Sequence, residues 1–261
     1  MSLAGLRVLA LESRRAAEIA ELIRRQGGDP FVAPSMREAA VPPDHGVLRF
    51  GERLAEGDFE MMALLTGVGT RQLARVLGES FAESLRRVTV VARGPKPVAV
   101  LREMGITPSV VAPEPNTWRE LLAATEGRPE RRIAVQEYGR PATELIEGWR
   151  ARGMEVTAVR VYQYALPEDT GLLQEAARRL AAGGFDMALF TTAVQIEHLA
   201  RVARERGIEE EALAGLRRAR VGSIGPVTTE ALEEFGIRPA FEPEHPKMGF
   251  LVREAAERGA S

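Results

Sequence analysis

The chain of 261 residues contains no cysteine, which excludes disulfides, thiolate nucleophiles and cysteine-ligated metals. Lysine stands only at Lys96 and Lys247, so positive charge is carried almost wholly by arginine. Three histidines, His45, His198 and His245, lie scattered with no second ligand at metal spacing. His198 falls in a helical pattern and reads as a packing or surface residue. No apolar run approaches the roughly 20 residues of a membrane helix, and no charged-then-apolar leader opens the sequence. The expectation is therefore a cytoplasmic protein without a membrane partner. A formal charge of −2 argues against a broad nucleic-acid footprint. What remains is ordinary for a globular chain, with 45% hydrophobic and 28% charged residues. The arginine preference and 16 prolines fit heat adaptation, although GC-rich coding gives the same bias. The length suits one large core or two small ones.

One stretch organises the rest. In Val221–Ile237, VGSIGPVTTEALEEFGI, an apolar run stops at Gly225-Pro226 and yields to a helical pattern ending at Gly236. Proline suits the first helical turn, where it has no N–H to lose. Thr228 and Thr229 then sit among unpaired amides at a positive helix end, which can hold an anion. The same stretch occurs earlier as Val90–Ile106, VVARGPKPVAVLREMGI, identical at seven of seventeen positions. Phe59-Glu60-Met61 recurs as Phe185-Asp186-Met187, and Arg7 through Glu12 resembles Arg132 through Glu137. The chain is a duplicated unit, which calls for two domains.

Along the chain, short apolar runs alternate with helical patterns, the signature of parallel sheets. Strands are expected at Leu6–Leu11, Phe31–Ala33, Met61–Leu65, Ser109–Ala112, Arg132–Gln136, Met187–Phe190 and Pro239–Phe241, besides those entering the GP turns. Ser13 is expected to cap the first helix, over Arg14 to Gln26. Residues 34–43 read as a connector bounded by proline, and Glu155–Ala165 as an unusually long extended run. Each copy supplies five strands and about five helices, which suits a flavodoxin-like doubly wound sheet. Ligands of such sheets gather at the carboxyl ends of the strands.

Several chemistries fail on the residues. TGVGT at Thr66–Thr70 follows a strand, but GxGxxG would need glycine where Gln72 stands. There is no P-loop and no nucleophile elbow. What survives is a set of turns rich in hydroxyls, glycine amides and helix N-termini, with Arg14, Arg71, Arg93 and Arg140 beside them. Facing domains would bring these turns into one cleft suited to a ligand with several carboxylates. A two-lobed binding protein closing on a small anion without chemistry is the alternative.

SIGPVTTEAL, the FTT of Phe190–Thr192, the VYQ of Val161–Gln163 and the two-unit layout resemble the uroporphyrinogen-III synthase family across the whole chain. The resemblance implies two flavodoxin-like doubly wound α/β domains joined by two extended linkers. Read in chain order, each copy would form its own domain. The resemblance instead implies one domain from residues 1–35 and 167–261, another from 41–160, and linkers at 36–40 and 161–166. It implies cofactor-free, metal-free cyclisation of the linear tetrapyrrole hydroxymethylbilane to uroporphyrinogen III with inversion of ring D, by a monomer. Tyr162 matches the family's tyrosine as proton donor, with Tyr164 as the fallback. The substrate-binding set becomes Arg14, Thr66, Gly67, Arg93, Gly94, Gly139, Arg140, Thr191, Thr192, Ile224, Gly225, Thr228 and Lys247. Gly67 and Lys247 depart from the hydroxyl residues common in relatives, which favours binding through backbone amides.

Overall fold

The alternation of apolar runs and amphipathic helices gives two separate parallel sheets in the computed structural model, which describes residues 2–40, 45–137 and 141–258. In chain order the first strands are β1 (Arg7–Ala10), β2 (Asp29–Val32), β3 (Arg37–Ala40), β4 (Met61–Leu64), β5 (Thr89–Ala92) and β6 (Val110–Val111). The remainder are β7 (Arg132–Glu137), β8 (Glu155–Arg160), β9 (Tyr162–Ala165), β10 (Met187–Phe190) and β11 (Arg220–Ser223). Helices α1 (Ala16–Arg25), α2 (His45–Glu56), α3 (Gly67–Leu77), α4 (Glu79–Leu85), α5 (Pro95–Glu103) and α6 (Trp118–Ala124) lie in the first half. They are followed by α7 (Thr143–Ala151), α8 (Gly171–Ala181), α9 (Val194–Glu205), α10 (Glu209–Arg218), α11 (Pro226–Glu234) and α12 (Met248–Arg258).

The chain divides into two compact units. Unit 1 comprises Met1–Arg37 with Ala165–Ser261, and unit 2 is Glu38–Tyr164. The sheet of unit 1 runs β11-β10-β1-β2 and that of unit 2 runs β6-β5-β4-β7-β8, with parallel pairing throughout both. Strands β3 and β9 pair separately, where the chain passes between units.

The duplication is visible strand by strand. Val8 aligns with Met187 across β1 and β10, as Ile133 aligns with Met61 across β7 and β4. Arg7 faces Asp29 as Arg132 faces Glu155, and Met187 faces Arg220 as Met61 faces Thr89. Counted from β7, unit 2 therefore carries the strand order of unit 1, with its chain opened at a different place. Register this uniform follows from strands buried on both faces, where a slip of one residue would turn every side chain to the wrong layer.

Each sheet separates two apolar layers. In unit 1, Leu9, Ala188 and Phe190 face one layer, while Val8, Ala10, Met187 and Leu189 face the other. In unit 2, Met62 and Leu64 pack with Phe50, Phe81 and Leu101, while Met61 and Ala63 pack with Leu121, Leu145 and Trp149. The alternation is the strand period of two. Fully burying each large side chain stabilises the fold by about 1.5–3 kcal/mol.

Four expectations need correction. Pro239–Phe241 is not a strand but a single bridge from Phe241 to Gly222. Pro239 has no N–H for a ladder, and the Phe241 ring lies where a Cβ on Gly222 would sit, at 2.4 Å. The long run at Glu155–Ala165 breaks into β8 and β9 at Val161, whose side chain is buried in the core of unit 2. Ser13 does not cap α1. Its Oγ accepts from the amides of Ser35 and Met36, both at 3.1 Å, and so ties the chain leaving β2 to the turn after β1. Finally, the described residues hold six helices per unit.

Candidate active site

The carboxyl ends of the parallel strands place the candidate turns, and each unit is taken by itself. In unit 2 the turn after β4 enters α3. Thr66 is extended, and its Oγ1 accepts from the Gly69 amide at 3.1 Å, a side-chain cap. Its own amide donates to Gln136 Oε1 at 3.2 Å, across the point where the sheet order reverses. Gln136 is fully buried, and a Cβ on Gly69 would fall 2.1 Å from its Nε2. A Cβ on Gly67 would fall 2.8 Å from the Lys96 carbonyl oxygen, so the α3 and α5 starts are close neighbours. Glycine at 67 and 69 is therefore a packing requirement.

The turn after β5 presents Arg93 and Gly94 ahead of Pro95, the first residue of α5. Arg93 is half-buried, and its amide donates to Leu64 O at 3.1 Å. Gly94 is buried, and a Cβ there would meet the Asn116 amide group at 2.7 Å. Asn116 takes the left-handed conformation at φ 60°. With its amide nitrogen turned inward it donates to Ala112 O and Arg93 O, at 3.1 and 3.2 Å. One side chain thus locks the β6 turn to the β5 turn.

In unit 1 the GP turn after β11 repeats this construction. Gly225 is fully extended ahead of Pro226, as Gly94 is ahead of Pro95, and the Ile224 amide donates to Phe190 O at 2.9 Å. Thr228 is buried at 4% exposure in the first turn of α11, and its amide folds back to Gly225 O at 2.9 Å. Thr229 Oγ1 donates to Glu242 Oε2 at 2.6 Å and also bonds Ser223 Oγ. Lys247 is exposed immediately before α12, with Nζ 6.0 Å from the Phe250 ring centroid.

The turn after β10 holds the residues that sequence reasoning missed. Gln195, fully buried on α9, accepts from the amides of Thr191 and Thr192 at 2.7 and 3.3 Å. Its Nε2 donates to Thr191 Oγ1 at 2.9 Å, and that hydroxyl donates to Glu12 Oε2 at 2.6 Å. Glu12 Oε1 accepts from the Arg15 amide at 3.2 Å, at the start of α1. The spacing of Thr192 and Gln195 is that of a capping box, the signal that could have found Gln195. Nearby, burial lowers the pKa of His198, whose Nδ1 lies 2.7 Å from Ser35 O.

In unit 1 the structure thus gathers Arg14, Thr191, Thr192, Ile224, Gly225, Thr228 and Lys247 around the carboxyl edge of the sheet. In unit 2 it gathers Thr66, Gly67, Arg93 and Gly94 in the same way. Arg71 is different, because it pairs with Glu103 at 2.7 Å on an exposed surface. Gly139 and Arg140 lie outside the described residues, as does the side chain of Tyr162, which opens β9. Tyr164 packs against the core of unit 2. Among the described residues no group of three or more His, Cys, Asp or Glu could hold a metal ion. No described helix is long and apolar enough to cross a membrane.

A doubly wound parallel sheet in each of two units defines a two-unit α/β protein. The sequence model of uroporphyrinogen-III synthase HemD matches residues 17–253. The chain belongs to the uroporphyrinogen-III synthase family. A Methanothermobacter thermautotrophicus protein provisionally named as that synthase is 32% identical over 85% of this chain and 87% of its own. YjjA of Bacillus subtilis, of uncharacterised function, is 31% identical over 98% of this chain and 96% of its own. A crystal structure of mutant uroporphyrinogen III synthase from the extremely thermophilic bacterium Thermus thermophilus superposes with TM-score 0.74 at 27% identity. The match covers 98% of this chain and 100% of that one.

Proposed function

We propose that the chain acts as a cytoplasmic monomer that closes hydroxymethylbilane to uroporphyrinogen III, with turns at the carboxyl edges of both sheets holding the substrate's acid arms. One observation carries this reading. The GP turn occurs in both units in the same extended conformation, each time handing a parallel strand to a helix start at which the second residue, Lys96 or Val227, keeps an N–H suited to a carboxylate. A ligand with many carboxylates is met by that arrangement better than a singly charged one is.

The chemistry asks little of side chains. Loss of hydroxide from a hydroxymethylpyrrole is assisted by the electron-rich ring, so a neutral phenol suffices to protonate the leaving oxygen. Tyr162 takes that role. The harder task is to make ring D react at its substituted carbon instead of closing directly. Holding the bilane in one fold is a positioning task, for which oriented reactions gain up to roughly 7–11 kcal/mol. The Gly67, Gly94 and Gly225 amides, the Thr192 and Thr228 hydroxyls and the cationic side chains of Arg93 and Lys247 supply the hold, on turns shaped by Thr66 and Ile224.

Incubation with freshly made hydroxymethylbilane, followed by separation of the product isomers, tests the reading. An excess of the type III isomer over type I is expected. Tight binding with unchanged type I closure would instead favour a two-lobed binder that performs no chemistry.

A further inference from the structure

Resting on the synthase reading above, we propose that Glu12 is the acceptor for a pyrrole N–H of the substrate, and that its carboxylate stabilises the cation formed when the hydroxyl leaves. The protons around it point to this role. The Thr191 and Thr192 amides are both spent on Gln195 Oε1, and the Thr191 hydroxyl proton is spent on Glu12 Oε2. Gln195 Nε2 already fills one acceptor position on Thr191 Oγ1. The Thr191 amide and hydroxyl, and the Thr192 amide, therefore have no proton to offer a substrate carboxylate. Apart from the Thr192 hydroxyl, these bonded groups leave acceptor positions, on a carboxylate whose charge is partly offset by the Arg15 cation.

A many-acid ligand is a poor reason to keep such a group, because like charges repel. A pyrrole N–H is a good reason, since it donates and cannot accept. Glu12 is half-buried, and its two bonds, to the Arg15 amide and to Thr191 Oγ1, leave about two of its four acceptor positions. The duplication supplies a contrast. Glu137 ends β7 as Glu12 follows β1, and it too accepts from the amide at the start of the next helix, Ala142 N at 3.1 Å. But Glu137 is buried at 6% exposure and bonded to Arg160 at 3.3 Å. Capping accounts for both carboxylates. Among the described residues, Glu12 is the one of the two that bonds a candidate site residue's side chain, the Thr191 hydroxyl.

Atoms and electrons balance through the step. The C–O bond of the hydroxymethyl group breaks, and the oxygen leaves with both electrons. It takes one proton from the phenol and departs as water. The pyrrole nitrogen lone pair moves into the ring and forms an exocyclic C=C bond. The resulting azafulvenium cation keeps its N–H, now more acidic, directed at Glu12. When ring D attacks the methylene carbon through its substituted carbon, positive charge moves to ring D. The bond from that carbon to its older methylene then breaks, leaving the charge on the neighbouring ring, and re-forms at the unsubstituted carbon of ring D. The proton lost from that carbon restores the phenol.

Glu12→Gln tests this, because the amide keeps an oxygen for the Arg15 N–H, removes the charge and returns a hydroxyl proton to Thr191. The expected result is a kcat about 10- to 100-fold lower, with KM unchanged or lower and the melting temperature held. A kcat within about threefold of wild type would overturn the proposal. If Glu12→Gln lowers the melting temperature, Glu12→Asp decides. Retained kcat in the aspartate variant supports a charge acting on the cation, and equal loss in both variants overturns it. Wild-type protein that yields no type III isomer would defeat the synthase reading and this inference together. Type III from wild type with an unimpaired Glu12→Gln variant would defeat this inference alone.

Discussion

Arg7 and Asp186, 179 positions apart, meet at the amino edge of the unit 1 sheet through three bonds. The Arg7 amide and Nε reach Oδ2 at 2.8 and 3.0 Å, and Nη2 reaches Oδ1 at 2.8 Å. Their counterparts in the duplicated unit meet in the same way. Glu60 accepts from the Arg131 and Arg132 amides at 2.6 and 3.2 Å and from Arg132 Nη2 at 3.3 Å. Both copies thus pin the strand pair beside the order reversal by a carboxylate at the end opposite the candidate site.

The pair sets a pH dependence. The Arg7 hydrogen bonds hold the Asp186 carboxyl down at about 2 from its ordinary 3.8. A carboxyl lowered on folding contributes stability that is fully present above its unfolded value and lost as pH falls through its folded one. Asp186→Asn should therefore lower stability by a constant amount above about pH 4. The gap to wild type should close as pH falls toward 2. Denaturant unfolding of both proteins across that range checks it, and a gap that widens on acidification would refute it.

Gly69→Ala should destabilise unit 2 and impair activity. The new methyl would lie 2.1 Å from Gln136 Nε2, and Gln136 is fully buried with its Oε1 on the Thr66 amide. Crowding of this kind costs about 1–3 kcal/mol. Thermal melts should show the loss, and activity should fall with it because the Thr66 turn is displaced.

Thr125→Val should destabilise without touching the chemistry. Trp149 is fully buried, and its Nε1–H donates to Thr125 Oγ1 at 2.9 Å. Valine keeps the shape and strands the indole N–H, at a cost of about 1–3 kcal/mol. The unfolding midpoint should fall while kcat at a permissive temperature stays at the wild-type value.

Tyr162→Phe should slow turnover by about 10²-fold if the phenol protonates the leaving hydroxyl. Steady-state assays at saturating substrate read this directly. Loss of activity in Tyr164→Phe, with Tyr162→Phe unimpaired, would move the proton donor to Tyr164.

The regular parts of this fold are legible in sequence because buried strands and amphipathic helices carry periods of their own. Met61–Leu64 and Met187–Phe190 are continuous apolar runs, and both GP turns announce a helix start. Pro239–Phe241 has the composition of a strand, but the pairing depends on a proline that cannot donate and a ring that must cover Gly222. Ser13 stands where a cap belongs. Its partner is decided by the chain leaving β2, more than twenty residues away, and local pattern is blind to that. In the site, the hydroxyl of Thr191 was legible but the direction of its proton was not. That direction is fixed by Glu12 and Gln195, which come from different elements and meet only in the folded unit.

In the function proposed above, acid arms are gripped by main-chain amides at the carboxyl edges of the sheets. Amide NMR shifts of the protein, titrated anaerobically with uroporphyrinogen III, test it most directly. The largest shifts are expected at Gly67, Val68, Gly94, Lys96, Gly225 and Val227. Shifts confined to the opposite ends, around Arg7, Asp186, Glu60 and Arg132, would contradict it.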